Sequence, residues 1–214
     1  MKLNMRKLAG SLLTAALAAV AGCATQYMES KPPRPGQGLS EYRRIVIESQ
    51  KDVADALRSL GRVSAQTNRC PLNVCAAFSR RVQRLQVESL KVRARVEAMQ
   101  ARGDAYFEHW DENLERITDP KVRGLVDEHR AQLQQRFNNI KQESQQAREA
   151  FKPFLSGLRK LNNALENDPG AVGVADTRDL IRATDERGRQ VEQALAAIRE
   201  ELKSMKLLVT PPVN

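Results

Sequence analysis

Between Ile181 and Val209 the chain reads IRATDERGRQVEQALAAIREELKSMKLLV. Ile181, Thr184, Gly188, Val191, Leu195, Ile198, Leu202, Met205 and Val209 fall at alternating steps of three and four, with charged, polar or alanine residues at most places between them. That spacing lays a narrow apolar stripe along one face of a helix, the pattern of helices that pack along a seam. Pro211 and Pro212 stop the run, because proline offers no N–H and clashes with the preceding turn.

Working back toward the amino terminus, the same period appears three more times. A first helix beginning at Ser40, which can cap it, carries Tyr42, Val46, Ser49, Val53, Ala56, Leu60 and Val63. A second carries Cys75, Phe78, Val82, Leu85, Ser89, Val92, Val96, Met99, Gly103, Tyr106, Trp110, Asn113 and Ile117. At 1.5 Å per residue this makes a rod on the order of 60 Å long. A third runs from Pro120 to Glu166 through Val122, Val126, His129, Leu133, Phe137, Ile140, Ser144, Ala147, Phe151, Phe154, Leu158, Leu161 and Leu165. The 126–129–133–137 run contains an extra four-step, read as a stutter, and Pro153 predicts a bend. Thr118-Asp119-Pro120 reads as a tight turn with Asp119 as N-cap, and Asn167-Asp168-Pro169-Gly170 as a stop. Residues 171–175 read as a loop, and Asp176 or Thr177 as the cap of the fourth helix. The fold expected is all-α: an elongated antiparallel helical bundle or coiled coil of about four helices over residues 40–210. Low aromatic content, 4%, fits long amphipathic helices better than a sheet.

The first 23 residues carry an address. Lys2, Arg6 and Lys7 precede an apolar run from Leu8 to Val20 that is too short to span a bilayer. The ending Val20-Ala21-Gly22-Cys23 resembles the lipobox of bacterial lipoproteins. The resemblance implies a signal peptide over residues 1–22, cleavage after Gly22, diacylglycerol on the Cys23 sulfur and an acyl chain such as palmitate on the new amino terminus. Residues 23–39, with Pro32, Pro33, Pro35, Gly36 and Gly38, then read as a tether. Ala24, rather than Asp, implies by the same resemblance anchoring in the outer membrane facing the periplasm, with the inner membrane as the alternative. Losing the three basic residues of the first 22 takes the formal charge from +9 to +6.

In an oxidising compartment Cys70 and Cys75 read as a disulfide. Their four-residue spacing is neither that of a redox dithiol nor that of a zinc knuckle. So small a loop contributes about 2 kcal/mol in the chain-entropy model.

Three constellations remain. Arg80, Arg81, Arg84, Lys91, Arg93 and Arg95 crowd the second helix and suit lipopolysaccharide or phospholipid head groups. The reading favoured over that one is a solvated, salt-bridged helix face. Nucleic acid is not a partner in that compartment. His109 and His129 reach one height if Thr118–Pro120 is a hairpin, so they are candidate metal ligands, although the Glu-x-x-His spacing of bundle metal sites is absent. His129 also falls on the seam, where a packed core histidine is the alternative. Trp110, Tyr106 and Phe107 form one aromatic group and Phe151 with Phe154 another, read as seam packing or as the wall of a ligand groove. No phosphate loop, serine elbow or carboxylate pair stands out, and the reading is non-enzymatic, with no cofactor.

Ala105-Tyr-Phe-Glu-His-Trp-Asp-Glu-Asn-Leu, the break at Thr118-Asp-Pro, and Phe151-Lys-Pro-Phe-Leu-Ser-Gly-Leu-Arg-Lys-Leu-Asn-Asn-Ala-Leu resemble an uncharacterised family of long-helical bacterial envelope proteins, a domain of unknown function. The resemblance covers roughly residues 100–206 and implies no activity. The function expected is therefore a lipid-anchored scaffold or adaptor that works by protein–protein contact, with self-association plausible. The alternatives are a module for anionic envelope components and a metal- or small-ligand-binding bundle.

Overall fold

The computed structural model describes residues 35–209, with side chains over 38–205. The signal, Cys23 and the tether up to residue 34 lie outside the described residues. Four helices follow in order: α1 (Pro35–Ser64), α2 (Leu72–Leu114), α3 (Pro120–Asn167) and α4 (Ala175–Val209), with a short 3-10 turn at Pro169–Gly173. Among the described residues there is no strand, and no helix is long and apolar enough to cross a membrane.

Each helix packs on two others, α1 on α2 and α4, α3 on α2 and α4. Ion pairs show the directions. Glu41, Glu48 and Asp55 on α1 meet Arg102, Arg95 and Arg81 on α2, so α2 descends as α1 rises. Asp104 and Asp111 on α2 meet Lys141 and Arg130 on α3. Arg136 on α3 meets Glu201 on α4 at 3.2 Å. The bundle is thus antiparallel, up-down-up-down, and Thr118–Pro120 is a hairpin turn. Asp119 caps α3, its carboxylate accepting from the Lys121 and Val122 amides at 2.8 and 3.3 Å.

The apolar stripes face inward. Every described stripe residue of α4 from Ile181 to Met205 is buried, as are Tyr42, Val46, Val53, Ala56, Leu60 and Val63 on α1, with Ile45 beside them. Four details differ from the sequence expectation. First, α1 begins at Pro35 rather than Ser40, so the last part of the expected tether is helix; Pro35 suits the first helical position, and a Cβ on Gly38 would lie 3.6 Å from the Met99 side chain. Second, α2 ends at Leu114, and Arg116 and Ile117 close the turn by hydrogen bonds to Asn113 and Leu114. Third, residues 169–173 form a 3-10 turn in place of a loop, nucleated by the Asp168 carboxylate accepting from Gly170 N. Asp176 lies within the first turn of α4, where its charge complements the helix dipole.

The fourth difference moves the stutter toward the turn, to Val122–Val126–Arg130. His129 is exposed, and Arg130 takes the inward place. Val126, Arg130, Leu133, Phe137 and Ile140 then keep an unbroken four-three rhythm. An arginine holds a seam position because its stem packs while its guanidinium pairs with Asp111 on α2; its side chain is only 15% exposed. The helix also continues through Pro153, which offers no N–H to the Glu149 carbonyl.

On α3 Gly157 lies against Thr184 of α4, and a Cβ on Gly157 would collide with the threonine hydroxyl. Thr184 is fully buried and its Oγ1 has no hydrogen-bond partner. A buried hydroxyl without a partner keeps its desolvation cost, about 1–3 kcal/mol. Thr184→Val, nearly isosteric, is expected to stabilise the bundle by about 1 kcal/mol in urea unfolding. A loss of stability would show the hydroxyl to be satisfied.

Candidate functional site

Midway along the bundle the α2–α3 seam opens. Between Leu85 and Met99, α2 buries no residue, although Val92 and Val96 occupy seam places there. Ser89 on α2 and Ser144 on α3 stand where large apolar residues would close the gap. The result is a slot of about 420 Å³. Its sides are Ser89, Val92 and Val96 of α2 with Ala147, Phe151 and Leu155 of α3; its floor is Val46 and Val53 of α1 with Val191 and Leu195 of α4. The volume lies within the range of about 300–1,000 Å³ typical of ligand pockets.

The rim is charged but balanced. Arg93 donates to Glu97 at 2.8 Å, and Arg148 of the facing helix comes within 3.9 Å of the same carboxylate. The hydrogen bond from Arg93 holds the Glu97 carboxyl below its ordinary value. Lys152 pairs with Glu149 at 2.8 Å. Deeper, burial pushes the Asp52 carboxyl above the usual aspartate range; Arg81 opposes this, and Glu88 and Asp55 add to it. The arrangement is an apolar trough with ions of both signs along its lips. It has no cluster of one charge to select an anion, and no nucleophile aimed into it by a base.

Tyr42 stands at one end of the slot and bonds to Ser144 across the bundle. Ser144 donates its single proton to the Ile140 carbonyl at 2.5 Å, so the tyrosine hydroxyl is the donor. Burial pushes the Tyr42 phenol above its ordinary value of 10.0; the Ser144 hydroxyl, able to turn its proton toward a phenolate, pulls the other way. A phenol raised in the folded state contributes stability that is complete below pH ~10 and is lost as pH rises through the folded value. Unfolding followed against pH is expected to show stability falling above pH ~10, and Tyr42→Phe to make that fall shallower. An unchanged slope in the variant would show that Tyr42 does not titrate in this range.

The residues singled out in the sequence do not converge. Cys70 and Cys75 are bonded, with Cα atoms 5.9 Å apart, where the loop after α1 enters α2; Cys70 is buried and its amide donates to the Pro169 carbonyl at 2.9 Å. Among the six basic residues, Arg81 pairs with Asp55 at 2.9 Å, Lys91 with Glu88, Arg93 with Glu97 and Arg95 with Glu48. Their charge is turned largely toward the protein's own carboxylates, and Arg80 and Arg84 are the two without an ion pair among the described residues. His109 and His129 are both exposed. His109 faces Glu112 at 3.3 Å, and the His129 ring sits against Trp110, centroids 6.1 Å apart. His129 is therefore not a core histidine. Among the described residues no three His, Cys, Asp or Glu side chains gather as a metal site.

The aromatics divide. Tyr106, Phe107 and Trp110 stack edge-on and reach Phe137 through Phe107, which is the buried member although the period favoured Tyr106. Phe151 contacts Phe154 and lines the slot. The sequence reading gives no site role to the rim residues Glu97, Arg148 and Lys152. The signal for the slot was a pair of serines in seam positions on two neighbouring helices.

Residues 39–203 match the family described as Protein of unknown function (DUF2959), and the chain belongs to that family. The match takes in the cysteine pair and the basic stretch, which the resemblance over residues 100–206 left aside. No curated protein and no solved structure matches the chain.

Proposed function

We propose that this protein is a lipid-anchored envelope adaptor without enzymatic activity, held to the outer membrane through Cys23 and facing the periplasm. Its bundle takes an amphipathic helix of another envelope protein into the α2–α3 slot. The open slot carries this reading. Helix-in-groove recognition needs an apolar trough with polar edges, and between Leu85 and Met99 the bundle leaves one such place unfilled. The slot's charges of both signs, Asp52, Glu88 and Glu97 with Arg93, Arg148 and Lys152, suit a helix bearing both signs better than a phosphate group. The anionic-ligand reading has less support, because most of the basic residues of α2 are paired within the protein.

The test is site-specific photocrosslinking in the living cell. A photoreactive residue at Val92 or Val96 is expected to capture one reproducible envelope protein through a helical peptide. The same probe at Gln190, exposed on α4, is expected to capture none. Val96→Arg in the slot is expected to reduce capture from Val92 at least tenfold. Equal yields from Val92 and Gln190 would overturn the slot as the contact site, and crosslinks only between copies of this chain would replace the adaptor by self-assembly.

A further inference from the structure

The α2–α3 hairpin outruns its neighbours. Arg102 is level with Glu41, yet α2 continues twelve residues to Leu114, whereas α1 extends only six back to Pro35. At 1.5 Å per residue the hairpin overshoots the start of α1 by about 9 Å. Glu201 is level with Arg136, and α4 ends eight residues on, while α3 reaches sixteen back to Pro120; the overshoot there is about 12 Å. Around the turn, residues 116–125 are apolar and basic, while the flanks of the projecting part carry the exposed acids Asp111, Glu112, Glu115 and Asp127. Leu125 is 70% and Val122 47% exposed. Ile117 is half-buried, and Arg116, Lys121 and Arg123 are exposed around it. Asp119, the acid nearest the turn, is occupied in capping α3.

The tip lies at the end of the bundle where α1 begins, and that end leads to Cys23. Eleven residues, 24–34, separate the cysteine from Pro35, and a chain of that length spans at most about 40 Å. We infer that the hairpin tip rests on the membrane that holds the anchor, with Val122 and Leu125 entering the headgroup boundary and Arg116, Lys121 and Arg123 meeting lipid phosphates. The inference rests on the lipid-anchor reading of Cys23. Once the anchor is inserted, the tip meets the bilayer at high effective concentration, so a small apolar patch with a few cations suffices where it would not hold a free protein. A tip so placed stands the bundle on the membrane on one fixed foot, instead of leaving it to swing on its tether.

Trp110 is the only tryptophan in the chain. Trp110→Phe therefore clears the background for a single reporter, Leu125→Trp at the tip or Leu72→Trp at the opposite end, where Leu72 is 86% exposed. Both sites are on the surface, so the fold is retained. The full chain, isolated with its anchor, is placed in vesicles of phosphatidylethanolamine and phosphatidylglycerol with brominated acyl chains, and Cys23 is weighed by mass spectrometry. Acylated Cys23, with Leu125→Trp quenched at least twofold more than Leu72→Trp, is the result expected. Acylated Cys23 with equal quenching at the two sites overturns the tip contact and leaves the anchor standing. Unmodified Cys23 overturns the anchor and the tip contact that rests on it. Blue-shifted but unquenched Leu125→Trp emission would mean a second copy covers the tip, and also overturns it.

Discussion

Phe154→Ala is expected to lower stability by about 3–5 kcal/mol. Phe154 is fully buried at the centre of the bundle, against Phe151 on its own helix and Gly188 on α4. Truncation removes the ring's transfer energy and leaves a hole that the surrounding helices close only in part. Its position sharpens the effect. Pro153 deprives α3 of a backbone hydrogen bond at this turn, so side-chain packing keeps the helix continuous there. With about 2–4 °C per kcal/mol for a domain of this size, the melting temperature should fall by roughly 6–20 °C in calorimetry. A fall under about 3 °C would show that the ring is not a centre of the core.

The second large effect is a contrast between two identical substitutions. At Gly188 a Cβ would lie 2.5 Å from Leu57 Cδ2 and 2.8 Å from Phe154 Cε2. The leucine end can turn aside, but the phenylalanine edge is locked in the core. Overpacking of this kind costs about 1–3 kcal/mol, more than the gain of up to about 1 kcal/mol from replacing a helical glycine by alanine. At Gly61, on the outer face of α1, a Cβ meets nothing within 4 Å, so only the helix gain operates. Gly188→Ala should therefore destabilise and Gly61→Ala stabilise, the pair differing by the overpacking cost of about 1–3 kcal/mol in urea unfolding. Two shifts of the same sign would mean that helix propensity, and not the fit of Phe154 against α4, governs both sites.

Much of this architecture is written in one-dimensional spacing. On α1 and α4 the three-four rhythm named the buried residues almost completely, because each helix presents one unbroken stripe to two neighbours. The rhythm misled where a polar side chain serves the core. His129 fits a list of uncharged residues better than Arg130 does, yet only the arginine is long enough to pack its stem and still reach Asp111. Tyr106 and Phe107 are adjacent, and spacing alone does not say which turns inward. The start of α1 is hidden in the sequence by Gly36 and Gly38, poor helix formers that nevertheless lie in its first turns. The slot and the projecting tip belong to no single helix. One arises where small residues of two helices face each other, the other from a difference in length between hairpin and neighbours, and both emerge only when the helices are set side by side.

The stretch of α2 from Leu85 to Met99 has a further consequence. Some four turns of helix there are tied down by half-buried valines and surface ion pairs and by no fully buried side chain. Local opening draws on the least anchored segments, and this stretch is one of them beside the hairpin tip, where residues 108–132 bury nothing, so both open with free energies well below that of global unfolding. Amide protons of α4 should outlast those of residues 86–98 in deuterium exchange. Residues 86–98 are the wall of the slot, so the act that admits an occupant and a soft excursion of the native state are one movement. An occupant that halts the breathing will be felt as slowed exchange along α2.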